Sequence, residues 1–175
     1  IGTLADAGTL PDIDTRDDAV FARLNGALAH DGASVSVEAG ARIETPVHLV
    51  FVGAPAEGDL AWHLRHHIVL GEDAALTLVE HHLDAGVHRH LDNTILSLRV
   101  ADRAELHHVR LQHRGIGATS FLRTDAELQA ASVYTRVDVE AGGALSRHEL
   151  DVRLLGDDAR LTANGVLLAG GRAHV

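Results

Sequence analysis

The sequence predicts an all-β protein wound in stacked coils, a β-solenoid, and three observations predict it. A six-residue phrase recurs seven times, with a polar or glycine-rich lead-in, a small residue in fourth place and an aliphatic one in sixth. Four of the copies, beginning at residue 71, start 30, 27 and 28 residues apart. After the corners that the phrase marks, residues alternate with a period of two, as a half-buried strand demands. One coil could not bury its own inner face, so neighbouring coils must stack. An antiparallel sandwich with regular turns is the competing architecture.

Residues 1–23 form the lead-in, with Gly2, Gly8, Pro11 and an acidic group of Asp12, Asp14, Asp17 and Asp18. Within it, Asp14-Thr15-Arg16-Asp17 offers caps for a short helix carrying Ala19, Val20, Phe21, Leu24 and Leu28. Residues 24–175 form the core domain, and strands take over from residue 30. The corner phrases are His30-Asp31-Gly32-Ala33-Ser34-Val35, Glu38-Ala39-Gly40-Ala41-Arg42-Ile43, Gly71-Glu72-Asp73-Ala74-Ala75-Leu76 and Ala101-Asp102-Arg103-Ala104-Glu105-Leu106. Three more follow: Leu128-Gln129-Ala130-Ala131-Ser132-Val133, Glu140-Ala141-Gly142-Gly143-Ala144-Leu145 and Gly156-Asp157-Asp158-Ala159-Arg160-Leu161. Glycine, Asp and Asn accept turn conformations that bulky residues avoid, and the aliphatic residue that ends each phrase points inward. Between corners, Leu96, Leu98 and Val100 alternate with Ser97 and Arg99, and Val133, Thr135, Val137 and Val139 alternate with Tyr134, Arg136, Asp138 and Glu140. Loops are expected at residues 53–58, 83–87 and 114–118, where Gly and Pro gather.

Composition bounds the chemistry. Aromatic residues make up 3% of the chain, so the core is expected to consist of Leu, Val, Ile and Ala. Net charge is −10 with histidines neutral, and all 15 basic residues are arginine. Such a surface argues against nucleic acid as a partner, since that binding neutralises phosphates. With no cysteine, thiolate metal sites and thiol nucleophiles are excluded within the chain. No apolar run reaches the roughly 18 residues of a membrane span, no secretion signal is visible, and the cytoplasm is the expected compartment. The chain opens on Ile1 and holds no methionine, which points to a longer natural protein.

Ten of the 14 histidines lie between His63 and His113. His88 and His90 have the spacing by which one strand face can present two metal ligands, whereas His81 and His82 point to opposite sides. A metal-dependent enzyme of cupin type would use that pair, but Leu91-Asp92-Asn93-Thr94 follows where a glutamate is expected. The simpler reading sets the histidines on exposed strand faces. Neither Asp102 nor Asp138 has a spacing that pairs it with a particular histidine, and none of the serines sits in a nucleophile elbow. No catalytic, cofactor-binding or metal-ligating residue is therefore assigned.

An ordered series of segments carries a family resemblance over residues 20–175. It opens with Leu24-Asn25-Gly26 running through His30-Asp31-Gly32 to Glu38-Ala39-Gly40, followed by Pro46-Val47-His48-Leu49. It continues through Arg65-His66-His67 and the strand that ends at Glu80, Asp92-Asn93-Thr94, and the strand from Ala104 to Gln112. Gly142-Gly143-Ala144-Leu145-Ser146-Arg147, Leu155-Gly156-Asp157-Asp158-Ala159 and Asn164-Gly165-Val166-Leu167-Leu168 complete it. In order and spacing these resemble the SufB/SufD family of iron–sulfur cluster assembly proteins, and their wording is nearer the SufD branch. The resemblance implies a right-handed parallel β-helix and a non-catalytic scaffold in a SufBCD-type complex. It implies as partners a SufB-like paralogue and a SufC-like ABC ATPase, with the cluster built and passed on by the complex. A β-helix end also exposes strand edges that invite self-association. A cupin-like enzyme and a β-solenoid surface module are the alternatives.

Overall fold

The computed structural model describes residues 1–3, 19–171 and 173–174, and it shows a parallel β-solenoid built from two facing sheets. The first sheet holds β1 (Gly2–Thr3), β2 (Ala33–Val37), β4 (Ala61–Leu70), β6 (Leu91–Val100), β8 (Thr119–Leu128) and β10 (Leu145–Leu154). The second holds β3 (Val47–Gly53), β5 (Ala75–Asp84), β7 (Glu105–Arg114), β9 (Val133–Gly142) and β11 (Arg160–Leu168). Strands alternate between the sheets along the chain, so each successive pair makes one coil. Every pairing is parallel and in register except the short antiparallel contact of β1 with β2. Parallel sheets joined this way exclude both the antiparallel sandwich and the cupin barrel.

Helix α1 (Val20–Leu28) lies against the outer side of the first sheet. It buries Ala22 and Asn25, while Val20, Leu24 and Leu28 stay exposed. The Asn25 amide donates to the carbonyls of Leu64 and Asn93, fixing the helix across β4 and β6. Phe21 stacks on Phe121 with ring centres 3.5 Å apart. The predicted caps at Asp14 to Asp17 lie outside the described residues. No helix among the described residues is long and apolar enough to cross a membrane.

The corner phrases separate into two groups. Five stack on the edge where the chain passes from the first sheet to the second, and each has one residue with positive φ: Gly40, Asp73, Arg103, Ala131 and Asp158. The amide N–H of each of the first four donates to a carbonyl of the next coil, from Gly40 to Glu72, Asp73 to Asp102, Arg103 to Ala130 and Ala131 to Asp157. This ladder moves the copy read as residues 128–133 on by one, to residues 129–134. The residue clearing that corner is then Ser132, fully buried with its hydroxyl on the Gln129 carbonyl, and the inward residue is Tyr134 in place of Val133. The phrases at residues 30–35 and 140–145 instead lie on the opposite edge, where the chain enters the first sheet.

The shift reverses the phase of β9. Tyr134, Arg136 and Glu140 point into the coil, while Val137 is exposed and Val133, Thr135 and Val139 are half-buried on the outer face. The interior consequently has two halves. Near the corner ladder it is aliphatic, with Ile68, Leu70, Leu76, Leu78, Leu98 and Leu106 at its centre. Toward the other edge it is polar, and the expected core of Leu, Val, Ile and Ala accounts for the first half alone.

Two substitutions check this corner geometry. Ala131→Gly, which relieves a left-handed alanine at φ 54°, should raise stability by about 0.5–1 kcal/mol in urea denaturation. Gly142→Ala should lower it by several times that, on the order of 3 kcal/mol, because φ is 78° and the added methyl would meet the Arg114 carbonyl oxygen at 1.9 Å.

Candidate functional site: a polar network inside the coil

A closed coil buries every inward position whatever residue occupies it, and a polar group held there needs a partner. The second sheet brings in Glu80 and His82 from β5, His108, Arg110, Gln112 and Arg114 from β7, and Tyr134, Arg136 and Glu140 from β9. The first sheet answers with Asp92 and Thr94 from β6, Thr124 from β8, and Ser146 and His148 from β10. The guanidinium-bearing side chains of Arg110 and Arg136 are among the largest fully buried ones in the molecule.

The network is continuous. Arg110 donates to Glu140 at 2.5 Å and to the Gln112 carbonyl oxygen at 2.6 Å. Gln112 then donates to Ser146, and the Ser146 hydroxyl donates back to Glu140, which closes a ring. Arg136 forks onto Asp138 through Nε and Nη2 and gives Nη1 to Thr124 at 2.8 Å. It also reaches the Tyr134 hydroxyl, and that hydroxyl lies 3.0 Å from His108 Nδ1. His108 Nε2 faces Glu80 at 3.5 Å, and Glu80 contacts His82 Nε2 at 3.2 Å. At the far end, Arg114 bridges Asp84 and Asp92, and Thr94 donates to Asp92 at 2.6 Å.

Protonation follows from these contacts. Arg136 Nη2 donates to His148 Nε2 at 2.9 Å, so the proton of the neutral ring sits on Nδ1, facing Glu140 at 3.3 Å. Burial, with Arg110 and Arg136 alongside, lowers the His148 pKa to about 4, against the pull of Glu140. Burial alone would raise Glu140, but the hydrogen bond from His148 and the Arg110 charge overcome it and bring Glu140 to about 2. Asp92 likewise falls to about 2, where His82, Arg114 and Thr94 outweigh burial. Glu80 is held well below the usual carboxylate range because His108 and His82 outweigh its burial. Burial pushes the Tyr134 hydroxyl up to about 12.

The histidines are placed differently from the exposed strand faces expected of them. His66, His67, His82, His88, His90 and His108 are buried, and His63, His81 and His148 are partly so. His30, His48, His107, His113 and His174 are exposed. His88 and His90 precede β6 instead of lying in a strand, and their rings stack with centres 4.1 Å apart. His90 Nδ1 accepts the Leu60 N–H and Nε2 donates to the Ala54 carbonyl. His88 Nδ1 accepts the His90 N–H, while Nε2 lies 3.1 Å from Asp84. These rings lock the loop that returns the chain to the first sheet, and the pair does not present its nitrogens to one metal. Among the described residues no three His, Asp or Glu side chains converge in a geometry that could hold a metal ion. His81 lies on the outer surface beside His48, 2.9 Å from it, and His82 faces inward, so these neighbours do point to opposite sides. Asp102 caps a corner by accepting the Ala130 N–H, and Asp138 holds Arg136.

Sequence reasoning did not find Arg110, Arg136, Gln112, Glu140 or Ser146 as interior residues. The signal was the corner phase, since counting by twos from Leu76 and Leu106 arrives at Glu80 and His82, and at His108, Arg110 and Gln112.

Removing one partner should expose the cost of this network. Arg110→Met strands Glu140 and is expected to destabilise by about 3–5 kcal/mol, with Arg110→Met/Glu140→Gln recovering a large part of the loss in denaturant titrations. Acid should weaken the fold in two windows. His148 ionises near 4 in the folded protein against an ordinary 6.5, so the unfolded chain takes its proton first. Stability falls between those values, by up to about 3 kcal/mol. Asp92 and Glu140 contribute stability that is complete above their ordinary values of 3.8 and 4.5 and is lost toward pH 2. Denaturant midpoints across pH should show both windows, and His148→Gln should remove the upper one while leaving the Asp92 part of the lower in place.

Residues 51–175 match the family described as the SufBD core domain of the SUF system for FeS cluster assembly. The chain is 28% identical over 151 residues to the iron–sulfur cluster assembly protein SufD of Escherichia coli, covering 85% of this chain and 36% of that protein. It is 27% identical over 142 residues to an iron–sulfur cluster assembly SufBD family protein of Synechocystis, covering 76% of this chain and 31% of the relative. It is 26% identical over 145 residues to the chloroplastic protein ABCI7 of Arabidopsis thaliana, covering 79% and 30%. The chain thus spans about a third of the length of the curated relatives it matches. With a parallel solenoid whose coils stack in register and a family match over most of its length, the chain belongs to the SufB/SufD family of iron–sulfur cluster assembly proteins, nearest the SufD branch.

Proposed function

We propose that this chain is part of a non-catalytic scaffold subunit of a SufBCD-type complex in the cytoplasm, working beside a SufB-like paralogue and a SufC-like ABC ATPase. The observation that carries this reading is the combination of family membership with the absence of any cysteine. Iron–sulfur clusters are held chiefly by thiolates, so the sulfur-bearing ligands of a nascent cluster come from outside this segment. The interior supports the same reading, because most of its carboxylate, guanidinium and amide groups bond to one another. A stiff coil that positions other subunits is what such an interior favours. The cluster is the cargo of the assembly.

The test is reconstitution with the full-length protein. Co-expression with the paralogue and the ATPase should yield a stable complex of all three, and leaving this subunit out should lower cluster transfer to an apo-protein. Replacing the outward-facing His48, His81, His107 and His113 together should leave transfer unchanged. If the paralogue and ATPase alone match the three-subunit rate, the scaffold role is wrong.

A further inference from the structure

A cavity of about 420 Å³ lies where the first coil opens, on the edge away from the corner ladder, between the end of β3, the start of β4 and the turn before β2. That volume falls within the range of small-molecule sites. Its walls are apolar and partly aromatic, with Phe51, Leu64 and the only tryptophan, Trp62. Two polar side chains also line it, and both are buried: His66 is 1% exposed and Arg114 4%. Each leaves one nitrogen without a partner among the described residues, Nε2 of His66 and Nε of Arg114. His66 Nδ1 accepts the Ala33 N–H at 2.9 Å, and burial lowers the pKa of the ring against the pull of Glu80, so the neutral ring carries its proton on Nε2. Arg114 gives its Nη groups to Asp84 and Asp92 and keeps its Nε proton unspent. A buried N–H with no acceptor is costly, and two of them border the same cavity.

We propose that this cavity is a binding site for a small, uncharged, largely apolar molecule whose carbonyl oxygen serves as acceptor for the unpartnered N–H groups of His66 and Arg114. A carbonyl oxygen has two lone pairs, so one such group can accept from both donors. Charge decides against an anion. The Arg114 guanidinium already faces two carboxylates, Asp84 and Asp92, Glu80 acts on His66, and Asp31 stands on the cavity wall. A carboxylate ligand would be desolvated beside this excess of negative charge. A hydrocarbon would suit Phe51, Trp62 and Leu64 but leave both donors unpaired. An uncharged carbonyl compound satisfies the walls and the donors together. The inference goes beyond the scaffold reading and does not rest on it.

Because Trp62 is the only tryptophan, its indole N–H gives a single resonance in the isotope-labelled 175-residue chain, and that resonance reports on this cavity. Three probes share one ring system and differ in the group offered to the donors: methyl naphthyl ketone, ethylnaphthalene and naphthoate. The ketone should bind about tenfold more tightly than the hydrocarbon, and more tightly than the carboxylate. His66→Phe keeps a ring against Phe51 and removes the donor. It should lower affinity for the ketone about threefold or more and leave that for the hydrocarbon unchanged. A Trp62 resonance that moves with none of the probes overturns the proposal. So does equal affinity for ketone and hydrocarbon, which would leave the donors to water. Tightest binding of naphthoate overturns it as well, because the cavity would then be an anion site. If His66→Phe fails to fold, the three probes on the unaltered chain still decide between these outcomes.

Discussion

In-register parallel stacking is the constraint on which the rest of this structure depends. Each residue lies directly above its counterpart in the next coil, about 4.8 Å away, so whatever the sequence places inward is repeated as a row. Aliphatic rows gain from this, and Leu70, Val100 and Leu128 stack as one. Charged rows tolerate it only when signs alternate, and β5, β7 and β9 place Glu80, Arg110 and Asp138 side by side. The same rule acts outside, where Arg153 and Glu127 are registered neighbours on the first sheet.

Polar rows make the interior less stable than a fully aliphatic one of the same volume, because each charge has been taken out of water. What they contribute is register. In the aliphatic half a strand displaced by two residues would still set Leu against Leu, since Leu76 and Leu78 are interchangeable in kind. In the polar half the same displacement would carry Arg110 out of line with Glu80 and Asp138, and Arg136 would lose Thr124 and His148 on the opposite wall. The two halves therefore divide the labour. One provides burial, and the other makes a single alignment of the coils much better than its neighbours.

Much of the fold was legible in the sequence because the corners use residue types with local requirements. A small residue and one that accepts positive φ must recur at each coil, and that recurrence survives without any knowledge of packing. The error at β9 has a physical origin too. Ala130, Ala131 and Ser132 are all small, so the phrase fits in two frames, and the aliphatic frame put Val133 inward. Only the ladder of amide bonds to Asp157 and Ala130 distinguishes them. Burial of the histidines was hidden for a related reason. Composition describes a residue's average preference, whereas a closed coil buries by position, and His66, His82 and His108 occupy inward positions by count alone. The network itself depends on contacts between sheets, such as Arg136 with Thr124 and His148, whose partners lie 12 residues away and on the opposite wall. No local pattern encodes that distance.

The solenoid thus isolates three chemistries within one thin coil. The interior pairs most of its polar groups with one another, the outer face of the first sheet neutralises its charges row by row and receives α1, and the outer face of the second carries charge only in the row beside the corner. A soluble domain does not need its two faces to differ in this way, because a mixed surface would keep it equally well hydrated. Segregation requires that aliphatic residues be placed outward on five successive strands of one sheet and on few of the other, although the corners impose no such choice. Coil geometry dictates which positions face out, and Val and Leu there suit both an extended strand and an apolar contact. The buried network fixes the register of the coils and so holds those two surfaces in line.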